Sequence, residues 1–232
     1  MKAFAAIFVL LAALFAVQAA NPWNDMQTMI ARAKINVNQV SNDLKYFIRN
    51  LKFNTENKLF NQKISSMEQV NTIVNPALKE IRTNVDAAKA EGKDVEQCYE
   101  NARLSLRSSS QTVYSGLDRC KQKAENAYGP SWQNLEAAQT TVNSYITELD
   151  SIMLQCSSSN VIEMQSCVAI KVGTVNQKLN AMKSSISSME STANSATNSA
   201  LLLQMSCNND SVSVLRSDTT QVKITANQCV QK

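Results

Sequence analysis

Six cysteines limit this chain more tightly than any other feature. They fall as Cys98-x21-Cys120-x35-Cys156-x10-Cys167-x39-Cys207-x21-Cys229, close to mirror symmetry about Ile162. A chain folded back on itself near that point brings Cys120 level with Cys207 and Cys98 level with Cys229. Cys156 and Cys167 then face each other across the turn. An even count with mirrored spacing reads as a set of structural disulfides, provided the chain matures in an oxidising compartment. There is no CxxC pair, and Cys156 and Cys167 do not have zinc-ligand spacing, so no metal role is expected.

The N-terminus supplies that compartment. Lys2 precedes an apolar run from Ala3 to Val17 and a small-residue site at Val17-Gln18-Ala19-Ala20. Such a run is too short to span a bilayer and ends as a cleavage site does, so residues 1–20 are predicted to be a secretory signal peptide. No later apolar run approaches bilayer length. The expectation is a secreted, extracellular chain without a transmembrane segment.

Between the cysteines, the sequence is written for helices. Four Gly, three Pro and 6% aromatics leave little for turns or sheets. Met26, Ile30, Ala33, Val37, Val40, Leu44, Phe47 and Leu51 alternate four- and three-residue steps, a heptad-like seam that predicts a long helix. The polar run Asn54-Thr55-Glu56-Asn57 reads as a turn, after which Phe60, Ile64 and Met67 lead a second seam to Ala88. Asn75-Pro76 predicts a kink or a cap and restart within it. Gly92 reads as a helix stop, Asp94 to Gln97 as a capping box, and Gly129-Pro130 as another stop. Leu135 to Cys156 then carries a further seam. Beyond a turn at Ser157 to Asn160, the return arm runs from Val168 to Cys207. Asn208-Asn209-Asp210-Ser211 is predicted to break it before Val212 to Cys229 finish the chain.

Helical rise narrows the disulfide pairing. Cys98 and Cys120 would lie about 33 Å apart on one helix, whereas bridged Cα atoms come within roughly 7 Å. Cys98 with Cys120, and Cys207 with Cys229, are excluded. With Cys156 joined to Cys167 across the turn, a nested set and a crossed set remain of the fifteen that six cysteines allow. The crossed set needs the arms to slide by about six turns. The nested set, Cys120 with Cys207 and Cys98 with Cys229, suits an antiparallel hairpin and is the prediction. The expected fold is all-α: an elongated antiparallel helical hairpin or bundle with heptad-like seams, cross-linked by nested disulfides. Residues 21–92 would form an N-terminal helical region packing on the hairpin of residues 93–232.

Function is constrained mainly by exclusion. There is no histidine, which removes Ser-His-Asp and Cys-His arrangements and histidine metal sites. Four glycines provide no phosphate-cradling loop. The carboxylates of Asp94 and Glu96 are helix-start charges that complement the dipole. No enzyme, catalytic residue, cofactor or metal is expected. The net charge of +4, with signs interspersed, favours no nucleic-acid partner. Arg119, Lys121 and Lys123 beside Cys120 read as a solvated helix face. The seams read as bundle core, and three cross-links argue against a bundle that opens to carry lipid. Phe47, Phe53 and Phe60, near the expected first turn, are the candidate apolar patch. Asn209-Asp210-Ser211 is the one N-x-S/T sequon, placing a candidate N-glycan at Asn209 in a polar break.

The leader, the helical composition and this cysteine layout together resemble the insect secreted proteins that carry the TsetseEP domain, over roughly Asp94 to Gln231. The acidic Glu-Pro repeat tail of the tsetse member is missing. The resemblance implies a secreted, non-enzymatic helical protein of gut lumen or body fluid, associated with defence, with no catalytic residues to carry over. Insect odorant-binding proteins, the other six-cysteine helical family, need two cysteines separated by three residues. This chain has none and is too long for that fold. The expected activity is binding of a protein or glycan partner, or structural association that includes self-association. The alternative is a carrier of a lipid or other apolar small molecule.

Overall fold

The computed structural model describes residues 22–232, so the signal peptide read at residues 1–20 lies outside the described residues. Three α-helices account for nearly all of them: α1 (Pro22–Ala90), α2 (Glu96–Gln155) and α3 (Val161–Val230). The described residues contain no strand. The fold is an all-α bundle.

The two connections are built from local chemistry. Gly92 takes φ 87°, a left-handed conformation that suits glycine alone among the residues here. Its amide donates to Lys89 O at 2.9 Å and the Lys93 amide to Ala88 O at 3.2 Å, which satisfies the last carbonyls of α1. At the second connection Asn160 caps α3. Its Oδ1 accepts from the Ile162 amide at 3.0 Å, and Glu163 accepts from the Asn160 side chain at 3.2 Å and from Ser158 Oγ at 3.1 Å.

The contacts divide into two compact units, each holding a segment of every helix. One comprises the described residues up to Ile48 with Asn134–Glu190, and the other Arg49–Gln133 with Ser191–Lys232. In the first, Met26, Ile30, Ala33, Val37 and Leu44 of α1 are buried, as are Leu135, Val142 and Leu149 of α2 and Val168, Val175 and Leu179 of α3. Ser41 Oγ donates to Asn143 Oδ1 at 2.6 Å, and Lys34 pairs with Asp150. In the second, Val70, Val74, Ile81 and Val85 of α1 pack with Val95 of the connection, Leu106, Val113 and Leu117 of α2 and Leu215 of α3. Arg82 and Lys89 both hold Glu96 at the start of α2, at 2.9 and 3.0 Å. The hydrogen bonds from Lys89 and then Arg82 keep its carboxyl below the usual range.

Four expected interruptions are unbroken helix. α1 runs through Asn54 to Asn57 because Thr55 is 1% exposed and faces inward, its hydroxyl donating to Leu51 O at 2.6 Å. The seam therefore passes through Thr55, Leu59, Ser66 and Val70, all buried, and Phe60 and Ile64 lie outside it. α1 also continues through Pro76, and α2 through Gly129-Pro130. Both prolines are exposed, so the carbonyl each leaves without a donor can be hydrated. α3 runs through Asn208 to Ser211: Asn208 is buried, and Ser211 donates to Cys207 O at 3.0 Å.

Candidate functional site

Three disulfides tie α2 and the turn that follows it to α3. They are Cys156–Cys167, Cys120–Cys207 and Cys98–Cys229, with Cα–Cα separations of 5.6, 5.6 and 5.8 Å. No cysteine is free. The nesting in the second unit requires α2 and α3 to run antiparallel there. α1 contains no cysteine and is held by packing and polar contacts alone.

Those polar contacts include a buried layer in the second unit that sequence reasoning missed. Gln204 is fully buried and its Nε2 donates to Leu59 O at 2.9 Å; Asn208 Nδ2 donates to Gln62 O at 3.4 Å. Trp132 Nε1 donates to Thr197 Oγ1 at 3.2 Å, and the Trp132 ring stacks on Tyr128 with centroids 4.0 Å apart. Oε1 of Gln62, Oε1 of Gln204 and Oδ1 of Asn208 are buried without a protein partner. A signal for the layer was present: Thr197, Leu201, Gln204, Asn208 and Leu215 keep seam spacing on α3. Counting only apolar residues makes the polar members look like gaps.

Burial, with smaller contributions from Glu125 and Glu56, pushes the Tyr128 phenol up to about 12. The sign follows from the neutral form being the one that packs. Tyr128 supports the fold fully below its unfolded pKa near ~10, and that support is lost as pH rises towards 12. Thermal midpoints recorded across this window should fall, and Tyr128→Phe should flatten the part of the fall due to this residue. An identical slope in the variant would assign the alkaline loss elsewhere.

The residues singled out from sequence are dispersed. Phe53 and Phe60 are 64% and 56% exposed on α1, joined by Ile64 at 37%. Their seven- and four-residue spacing puts them on one helix face. Phe47 is half-buried and is not part of this exposed set. Asn209 is exposed on α3, within a helix and not in the polar break expected for it. Among the described residues, no group of three His, Cys, Asp or Glu side chains is placed to hold a metal ion. None of the described helices is long and apolar enough to cross a membrane. Compared with known proteins, the chain matches no family model, no curated protein and no solved structure.

Proposed function

We propose that this chain is a secreted, non-enzymatic helical protein of the TsetseEP type, acting in insect gut lumen or haemolymph by binding a protein or glycan, with a role in defence. The reading rests above all on the exposed face formed by Phe53, Phe60 and Ile64. These side chains stand outside a buried seam on the same helix, so bundle packing does not require them. Exposed aromatic side chains supply large contact area at low entropic cost when a partner covers them. Three disulfides fit the extracellular setting, because such cross-links persist under oxidising conditions.

The test is native mass spectrometry of the protein isolated from its secreted source, with organic extraction of the same sample. A stoichiometric protein or glycan complex that dissociates at least tenfold more readily in Phe53→Ser/Phe60→Ser is the expected result. Removing two exposed aromatic anchors costs binding on the order of 1–2 kcal/mol or more, while leaving the buried seam intact. Recurrent bound lipid with no macromolecular complex would favour the carrier instead. Sedimentation at several concentrations separates self-association from a foreign partner.

A further inference from the structure

A groove between α2 and α3 lies beside the Cys98–Cys229 bridge in the second unit. Its volume is about 410 Å³, within the ~300–1,000 Å³ typical of small-molecule sites. Ala102, Val222 and Ala226 line it together with the disulfide, giving it an apolar base. Ser105 and Gln221 add hydrogen-bonding groups. The side chains facing each other here are short, which is why two bridged helices leave space between them.

Asp218 is the one charged residue lining this groove. It forms no ion pair or hydrogen bond with the other described residues. Val214, one turn before it and on the same helix face, is 58% exposed, and Leu104, three residues after the lining Asn101, is 53% exposed. A lone carboxylate among apolar and hydroxyl groups is complementary to a positive head on a compact apolar body. From this we infer that the groove is a binding site for a small amphipathic organic cation, a protonated amine carried on an apolar group. The ammonium would sit at Asp218, and the apolar group would lie along Ala102, Val222 and the disulfide. This site is separate from the α1 face and stands or falls independently of it.

The overall charge sharpens the test. At +4 the whole chain favours anions at long range, so a preference for a cation must come from the groove itself. Titration calorimetry on the full secreted chain, with its bridges intact, would compare three probes of nearly equal shape: phenethylamine, phenethyl alcohol and phenylacetate. The amine should bind about tenfold tighter than the alcohol, the worth of one partly exposed charge pair, and phenylacetate should bind weakest. Asp218→Asn should lower the amine to the level of the alcohol and leave the alcohol unchanged. Ser105→Trp, which fills the groove, should remove both. If that variant unfolds at lower temperature than the parent, Asn101→Trp on the exposed wall replaces it. Equal affinity for the three probes would overturn the inference. So would an amine preference that survives Asp218→Asn, binding that survives the filled groove, or no binding of any probe at millimolar concentration.

Discussion

Alanine at both Cys98 and Cys229 is expected to lower stability by about 4 kcal/mol on the chain-entropy argument. The sequence separation of 131 overstates the loop that this bridge closes. With Cys120–Cys207 intact, only about 45 residues of chain lie in the cycle between the two bridges, and the logarithm of that number sets the cost. Cys120–Cys207 separates two cycles, about 45 residues towards Cys98–Cys229 and about 75 towards Cys156–Cys167. The shorter one sets the cost while the other bridges are intact, so Cys120→Ala/Cys207→Ala should lose no more than about 4 kcal/mol. Guanidinium unfolding of both variants, with slopes compared as well as midpoints, tests this nesting. A midpoint unchanged on removing Cys98–Cys229 would mean that packing alone fixes the outer arms. A loss several kcal/mol larger for either pair would mean that the cycles are not nested in the unfolded chain.

The nesting was accessible before any coordinates because it follows from rigid geometry. Helical rise separates Cys98 from Cys120 too far for a bridge, and the mirrored spacing selects among what remains. The all-helical class was equally accessible from the seams and the shortage of glycine and proline. Continuity was not. Thr55, Asn208 and Pro130 each carry a local preference against helix interiors, and each is overridden by where its side chain lands. Thr55 and Asn208 are turned inward, where the first bonds to Leu51 O and the second to Gln62 O. Pro130 is turned outward, where the lost hydrogen bond meets solvent. Local propensity does not say which way a residue faces; the register of the partner helix does.

The same point governs the candidate surfaces. Phe60 was counted into the seam because it is apolar, while Leu59 beside it is fully buried and Phe60 is 56% exposed. One residue of phase moves a side chain 100° around a helix. Side-chain pairs help to set that phase. A seam repeating every seven residues tolerates a one-heptad slip of α1 in its apolar matching alone. Such a slip would part the Asn84 amide from Asn227 Oδ1, 2.9 Å away, and Arg82 from Glu96. A part-buried amide left unpaired costs about 1–3 kcal/mol, so the aligned register is favoured even though no disulfide reaches α1.

Trp132 offers the most direct measurement of that buried layer. Trp132→Ala should cost about 3–5 kcal/mol, since the indole is buried, stacks on Tyr128 and lies under Lys52 with the ammonium 5.7 Å from the ring centroid. Trp132→Phe keeps an aromatic ring but withdraws the donor from Thr197, and should cost about 1–2 kcal/mol. Thr197→Val withdraws the acceptor and leaves the indole N–H buried, at a similar cost. Combining Trp132→Phe with Thr197→Val removes both partners, so the double variant should be more stable than the sum of the single losses predicts, by about 1 kcal/mol. Trp23, the other tryptophan, is 48% exposed, so the blue-shifted part of the emission reports on Trp132 and follows each unfolding transition. Strict additivity across the cycle would show that the indole contributes by packing alone. It would also remove the hydrogen bond between α2 and α3 from the account of how the layer holds.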